Sequence, residues 1–299
     1  MRGTRRQPWQ MRGGRHWPFD VQPSADPCMR RVSPSTSLII ATYNWPRALD
    51  VVLESVRAQR ELPDEVLVAD DGSGEATREI VAAHQLRFPV PITHVWHEDR
   101  GFRLAAIRNA AIRQAGGEYI VQVDGDIVLG RHFVGAHRRF ARRGSYVQGS
   151  RCLVDQVLTE SLLSERRCQI SPFERGLRNR QNGMHIPWLV PFIRGPRDAD
   201  HRTRGCHMAF WRDDLQSVNG YDEGFVGWGR EDSELAARLI HSGVVRRNFK
   251  YGAAAFHLWH PEVVARAHAD NEARYDTTIR ERRRRCRAGL VTLTDDGVA

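Results

Sequence analysis

Apolar positions follow two different spacings along the first half of the chain. Short apolar runs of β-branched and aliphatic residues predict strands at 37–42, 65–69, 92–96 and 119–123. Between them, apolar residues recur every three or four positions and predict helices around Leu49–Val56, near 75–84 and at 104–115. Strands that alternate with helices predict right-handed βαβ units, and therefore an α/β fold with a parallel sheet buried on both faces.

Polar loops follow three of these predicted strands. The loops are Thr42-Tyr43-Asn44, Asp70-Asp71-Gly72-Ser73 and Asp124-Gly125-Asp126. Because ligands of parallel sheets bind outside the carboxyl ends of the strands, we expect the three loops to form one site.

The rest of the chain is less regular. Residues 1–35 are rich in Arg, Gly, Pro and Ser and predict a flexible basic arm, and residues 170–203 contain four prolines typical of a long surface excursion. Apolar patterning returns at 205–211, 227–243 and 249–260. We therefore divide the chain into an arm (1–35), a first half (36–150), a second half (151–265) and a basic, helical tail (266–299).

Composition and charge narrow the class of protein. With 41% hydrophobic and 27% charged residues, the chain is typical of a soluble globular protein. No apolar run is long enough to span a bilayer and the first residues lack an apolar signal core, so we expect a cytoplasmic location. The five cysteines are widely spaced and form no C-x-x-C pair, which argues against a disulfide framework and against a structural zinc site.

The net charge of +9 comes from the two ends of the chain. Residues 1–31 hold seven arginines and two acids, and residues 266–287 hold eight arginines and four acids. Such ends either remain solvated or contact polyanions, and we expect peripheral contact with an anionic membrane, at the inner face. The body between them is nearly neutral and shows no known nucleic-acid-binding module, so we expect no nucleic acid partner.

Three features of the predicted sheet edge carry candidate chemistry. Asp124 and Asp126 offer the oxygen ligands that Mg²⁺ or Mn²⁺ prefer, although such turns are also common without metal. Asp70 and Asp71 either form an Asx-type turn or accept hydrogen bonds from a base or a ribose. Arg103 precedes the third predicted helix and Arg108 lies on it, where they suit a diphosphate, although Arg108 can also be interpreted as a solvated helix residue.

A further candidate is the stretch GWGREDSELAARLIHSG at 227–243. It places Trp228 between two glycines and then Glu231 and Asp232 at a predicted helix start. Two acids at a helix start stabilise its dipole by about 0.3–1 kcal/mol each, which explains the acids but not the Gly-Trp-Gly turn. A positioned carboxylate is also a general base, so both interpretations stay open from the residues alone.

Four motifs in this order resemble a known family. SLIIATYN at 37–44, VADDGS at 68–73, Arg108-Asn109 and VDGD at 123–126 are similar to the nucleotide-sugar half of family 2 glycosyltransferases, which have the Rossmann-like GT-A fold. GYDEGFVGWGREDSEL at 220–235 resembles the acceptor-side motif of β-1,4-galactosyltransferases, polypeptide GalNAc-transferases and bacterial chondroitin-type polymerases. The resemblance covers roughly residues 36–262.

The resemblance implies a role for each candidate residue. Those expected to hold the UDP part of a UDP-sugar are Thr42, Tyr43, Asn44, Asp70, Asp71, Arg103, Arg108 and Asp124. Those expected to bind Mn²⁺ or Mg²⁺ are Asp126, Asp124 and a histidine, for which we favour His257 with His260 as the alternative. On the acceptor side, Asp232 is the expected base, Glu231 orients acceptor hydroxyls, and Trp228 and Gly229 contact the acceptor sugar.

The function that follows is an inverting, metal-dependent glycosyltransferase. It would move a sugar from a UDP-sugar to a saccharide or glycolipid acceptor, in bacterial surface polysaccharide synthesis. Two alternatives are a sugar-phosphate nucleotidyltransferase and an Arg-rich nucleic-acid-binding protein. The first would need a glycine-rich phosphate loop after the first strand, where the chain has TYNWP at 42–46 instead.

Overall fold

A computed structural model describes residues 33–193, 203–261, 269–294 and 297–298 of the chain. The predicted basic arm lies outside the described residues except for its last three positions. Within the described part of the chain, no helix is both long enough and apolar enough to cross a bilayer.

A seven-stranded sheet lies at the centre of the fold. Its strands are β1 (Thr36–Thr42), β2 (Glu65–Asp70), β3 (Ile92–Trp96), β4 (Tyr119–Asp124), β6 (Ser145–Gly149), β9 (His207–Trp211) and β10 (Val245–Phe249). Their order across the sheet is β10-β6-β9-β4-β1-β2-β3. Strands β1 to β4 pair in parallel, as predicted, and β9 inserts antiparallel between β4 and β6. The two predicted halves of the chain therefore contribute strands to one sheet.

The sheet is buried on both faces because successive side chains of β1 enter different cores. Leu38 and Ile40 pack in the cluster that contains the first helix, while Ile39 and Ala41 pack in the cluster that contains the third. The helices are α1 (Pro46–Arg57), α2 (Glu75–Gln85), α3 (Leu104–Gln114), α4 (Phe133–Phe140), α5 (Gln156–Ser164), α6 (Arg212–Ser217), α7 (Glu231–His241) and α8 (Ala269–Glu281). The predicted α/β class with a mostly parallel sheet is confirmed.

A second, four-stranded sheet carries part of the candidate site. Its order is β5-β11-β7-β8, with β5 at Ile127–Leu129, β7 at Cys152–Val154, β8 at Leu177–Arg178 and β11 at Ala255–His257. Strand β5 begins directly after Asp126 and pairs antiparallel with β11, which places His257 opposite Ile127. Short 3-10 helices at Arg180–Gly183 and Pro187–Phe192 follow β8, and a small hairpin of β12 (Leu293–Thr294) and β13 (Gly297–Val298) lies near the end of the chain.

Helix α7 is anchored by a buried ion pair. Arg238 and Glu234, one turn apart, join through two hydrogen bonds of 2.7 Å, and both side chains are almost fully buried. Thr278 of α8 also donates to Glu234, and Arg238 donates to the carbonyl of Val218. These contacts hold the start of α7 at a defined place beside the sheet edge.

Candidate active site

A carboxylate and two imidazoles meet where β4 ends. Asp126 Oδ2 lies 3.5 Å from His257 Nε2 and 3.4 Å from His260 Nε2, and one potential ligand atom of each residue lies within 4.8 Å of the others. Asp126 Oδ1 is buried and accepts no hydrogen bond from the described residues. A divalent cation would satisfy that oxygen and suits two imidazole nitrogens and a carboxylate, so the residues present fit the expected metal.

The two histidines differ in their local chemistry, because a hydrogen bond with Asp126 raises the pKa of His260. Burial is the main cause that lowers the pKa of His257 below its usual value, which keeps the ring neutral. His260 Nδ1 lies 3.0 Å from the carbonyl of Pro261, and its ring packs edge-on against Trp45. With Nδ1 donating to that carbonyl, Nε2 faces Asp126, the arrangement typical of a metal-ligating histidine. The alternatives His257 and His260 therefore both lie at the same carboxylate.

Asp124 lies outside this three-residue group. Its Oδ1 accepts a 2.8 Å hydrogen bond from Nη2 of Arg108, whose side chain is only 1% exposed. Arg108 Nη1 lies 3.5 Å from Glu231 Oε1, and its guanidinium lies over the ring of Tyr221. The structure thus places Arg108 beneath the site, between a carboxylate of the first half and one of the second half.

The Gly-Trp-Gly turn and the acidic pair form the other side of the site. Gly227 and Gly229 have φ angles of +79° and +110°, which side-chain-bearing residues rarely adopt, so the turn requires glycine. Trp228 between them is 56% exposed. The turn is fixed from both sides, since Gly227 N donates to the Phe102 carbonyl and Asn271 of α8 donates to the Gly229 carbonyl.

Both acids at the start of α7 bind protons more readily than usual. Burial, followed by the negative charge of Asp232, raises the pKa of Glu231 to about 7, while Arg108 opposes the shift. Burial also raises the pKa of Asp232 against the effect of Arg108. Asp232 Oδ1 accepts a 2.6 Å hydrogen bond from Ser233 N, and no side chain caps the helix. A raised pKa brings a carboxylate nearer to the range in which general bases operate.

The loops after β1 and β2 meet at the same edge. Asp71 N donates to the Thr42 carbonyl, and Gly125 N donates to the Ala41 carbonyl, so backbone hydrogen bonds tie all three polar loops together. Asn44 N donates to the hydroxyl of Ser73 at 2.8 Å. Tyr43 is 50% exposed and donates to Asp99 at 3.0 Å. The three loops predicted to converge therefore do so.

Asp70 and Asp71 are buried and already have partners within the chain. Asp70 lies 2.9 Å from His94 Nε2 and accepts a hydrogen bond from Ser73 N. Asp71 lies 2.7 Å from His97 Nε2 and accepts a hydrogen bond from the backbone N of Arg103, which places Arg103 beside the loop after β2. The sequence analysis did not single out either histidine, although His94 lies within the third predicted strand and His97 directly follows it.

Two family models match the sequence of this chain. The model described as glycosyl transferase family 2 matches residues 37–202, more than half of the chain. This chain belongs to glycosyl transferase family 2. A second model, described as the N-terminal domain of galactosyltransferase, matches residues 195–260 and includes the acidic pair and both histidines. The resemblance read from the motifs is therefore confirmed for both halves.

Several curated glycosyltransferases are similar in sequence. Validoxylamine A glucosyltransferase of Streptomyces hygroscopicus subsp. limoneus is 30% identical over 240 residues, covering 71% of this chain and 49% of that protein. Chondroitin synthase of Pasteurella multocida (strain Pm70) is 27% identical over 237 residues, covering 74% of this chain and 24% of that protein. The chain thus spans between a quarter and a half of the length of these relatives.

Solved structures show the same GT-A fold. The mannosyltransferase PcManGT from Pyrobaculum calidifontis, in complex with GDP-Man and Mn²⁺, has a TM-score of 0.56 at 19% identity over 84% of this chain and 64% of that one. GalNAc-T7 with UDP, GalNAc and Mn²⁺ has a TM-score of 0.59 at 14% identity over 83% of this chain and 48% of that one. At these identities the likeness concerns the fold.

Proposed function

We propose that this family 2 glycosyltransferase moves a hexosyl group from a UDP-sugar to a hydroxyl of a saccharide or glycolipid acceptor, with inversion at the anomeric carbon. One observation carries the proposal. Arg108 lies 2.8 Å from Asp124, which is in the same loop as the candidate metal ligand Asp126. It also lies 3.5 Å from Glu231 of the acidic pair and so connects the two parts of the site. A donor held at the cluster and an acceptor held at the acidic pair would therefore lie side by side.

The metal would be held by Asp126, His257 and His260. When bound, it would act as a Lewis acid that stabilises the charge of the departing diphosphate. Imidazole ligands suit first-row transition metals, whereas Mg²⁺ prefers oxygen, so we propose Mn²⁺ rather than Mg²⁺. The structures of two relatives contain Mn²⁺ with a nucleotide or nucleotide sugar, which supports this choice.

The acceptor half would supply the base. Asp232 accepts the proton of the acceptor hydroxyl while the hydroxyl oxygen bonds to the anomeric carbon. The bond from that carbon to the diphosphate oxygen breaks on the opposite side, and its electron pair leaves with UDP. Glu231 orients the acceptor hydroxyls, the exposed Trp228 offers an apolar face to a sugar ring, and Gly229 allows close approach.

The three loops of the first half would hold the nucleotide. Thr42, Tyr43 and Asn44 lie beside Asp70 and Asp71, and the exposed Tyr43 ring is available for a base. Since the chain itself satisfies both carboxylates, we propose that they position His94, His97 and the backbone of Arg103 around the uridine. TarS of S. aureus, a structural relative at 17% identity, has been solved with UDP, which supports a uridine nucleotide.

The acceptor is proposed from the relatives' names. Chondroitin and hyaluronan synthases are among the similar proteins, which supports a role in bacterial surface polysaccharide synthesis. We further propose that the enzyme works at the cytoplasmic face and that its basic ends contact anionic lipid. Arg282–Arg285 are exposed after α8 and supply part of that charge. Unchanged co-sedimentation with anionic liposomes after deletion of residues 282–299 would count against the contact.

A donor screen tests the function. Purified protein is incubated with a panel of UDP-sugars and with GDP-mannose, with Mn²⁺, with Mg²⁺ and with EDTA, and the released nucleoside diphosphate is measured. We expect Mn²⁺-dependent release of UDP from one sugar, increased by a saccharide acceptor. Release of pyrophosphate from UTP and a sugar phosphate would instead favour a nucleotidyltransferase, and salt-sensitive RNA binding without any release would favour the nucleic-acid alternative.

A further inference from the structure

A positively charged side chain, that of Arg151, lies near the three candidate metal ligands Asp126, His257 and His260. Arg151 directly precedes β7, the strand whose Leu153 pairs with His257. Its carbonyl accepts a 2.9 Å hydrogen bond from Asn182, which fixes the backbone at this point. Its Nη1 donates to the thiol of Cys206, whose carbonyl accepts a 3.3 Å hydrogen bond from Asp124 N. The guanidinium therefore lies beside the Asp124-Gly125-Asp126 turn.

The side chain of Arg151 has little to neutralise it. Nη1 donates to the thiol of Cys206 at 3.1 Å, and Nε is buried without a hydrogen-bond partner among the described residues. No carboxylate in the described part of the chain lies within 4.0 Å of it. Burial raises the pKa of Cys206 to about 12, so the thiol is neutral and does not compensate the charge.

Two other buried arginines, unlike Arg151, have carboxylate partners. Arg108 lies against Asp124 and Glu231, and Arg238 lies against Glu234, so these two buried guanidiniums have carboxylate partners. A half-buried cation with only a weak thiol acceptor is costly, and an anion would reduce that cost. The thiol holds one end of the guanidinium while the charge stays available to a ligand.

We propose that Arg151 binds the diphosphate of the nucleotide donor and holds the leaving group beside Asp126, His257 and His260. The inference rests on the proposed use of a UDP-sugar. A guanidinium is suited to this task because its donors match pairs of phosphate oxygens and its charge persists at every relevant pH. As the anomeric C–O bond breaks, the electron pair stays on the diphosphate oxygen, and Arg151 stabilises the added charge.

Binding measurements that separate phosphate from nucleoside test this role. Dissociation constants for UDP and for uridine are measured by calorimetry with wild type, Arg151→Met and Arg151→Lys, each with and without Mn²⁺. We expect Arg151→Met to weaken UDP binding by about ten- to a hundredfold while uridine binding is unchanged, because a charged hydrogen bond to phosphate is lost. Arg151→Lys keeps the charge and should recover part of the affinity.

Arg180→Met is the matched control. Arg180 is an exposed arginine whose Nε donates to the Leu177 carbonyl, so its loss should leave UDP affinity unchanged. Equal losses of UDP and uridine binding in Arg151→Met would indicate a structural role and overturn the inference, as would UDP binding as tight as in wild type. If wild type transfers sugar from a UDP-sugar and Arg151→Met binds UDP as tightly as wild type, the proposed function stands and the inference about Arg151 fails. If UDP binding depends on Arg151 but no sugar is transferred, the inference stands and the proposed function fails. A wild type that binds no UDP would refute both.

Discussion

Arg108 and Asp124 form a partly buried hydrogen bond of 2.8 Å at the end of β4. This contact separates the two aspartates of the DGD turn. Asp124 is held by a guanidinium that also lies near Glu231, whereas Asp126 turns toward His257 and His260. Two carboxylates two residues apart therefore serve different parts of the site, and their substitution should have different effects.

Metal binding should depend on Asp126 and on both histidines. Asp126→Ala should abolish Mn²⁺-dependent UDP binding, and His257→Ala and His260→Ala should each weaken Mn²⁺ affinity by at least about tenfold, since each removes one proposed ligand. Titration of Mn²⁺ followed by electron paramagnetic resonance measures this. Asp276→Ala, which removes an exposed carboxylate, is the control. Unchanged Mn²⁺ affinity in either histidine variant would remove that residue from the ligand set.

Sugar transfer should depend on Asp232 more strongly than donor binding does. Asp232→Asn keeps the shape of the side chain but takes up no proton, so kcat should fall by about 10²- to 10⁴-fold while UDP affinity stays unchanged. Glu231→Gln should mainly raise the KM for the acceptor, because we propose that this residue orients the acceptor hydroxyls. Steady-state kinetics and UDP calorimetry distinguish the two effects. Retained turnover in Asp232→Asn would assign the base elsewhere.

The pH dependence of kcat/KM should change when the positive charge of Arg108 is removed. Its guanidinium lowers the pKa of Asp124, Glu231 and Asp232, so Arg108→Met should raise all three. A base with a raised pKa takes up its proton at higher pH, and the acid limb of kcat/KM should therefore move to higher pH. Arg108→Lys retains a positive charge and should move it less. A limb that stays in place in Arg108→Met would separate Arg108 from the base.

The ion pair inside α7 should be important for stability. Glu234→Gln leaves the fully buried Arg238 without a compensating charge, and we expect a loss of about 3–5 kcal/mol in the free energy of unfolding. Urea denaturation followed by circular dichroism measures the change. The double variant Glu234→Gln, Arg238→Met removes both charges and should recover part of the loss. An unaltered denaturation midpoint in the single variant would contradict this account.

Much of the first half of the fold was predictable because its signals are local. The four predicted strands correspond to β1–β4, with ends that differ by at most one residue. Apolar runs and helical spacing reflect burial on the two faces of a sheet, which neighbouring residues report directly. The second half was less accessible, because β5, β7, β8 and β11 have only two or three residues each and β9 joins the central sheet antiparallel.

The sequence by itself determined the family, the alternation of strands and helices in the first half, and the polar residue types that follow three of its strands. Only the tertiary structure decided which of these residues meet. The pairing of β11 with β5 brings His257 to Asp126 across 131 positions of sequence, and burial places Arg108 between carboxylates instead of in solvent. The positions of His94, His97 and Arg151 were decided in the same way. Such contacts depend on how distant segments pack, and no periodicity within a single segment encodes them.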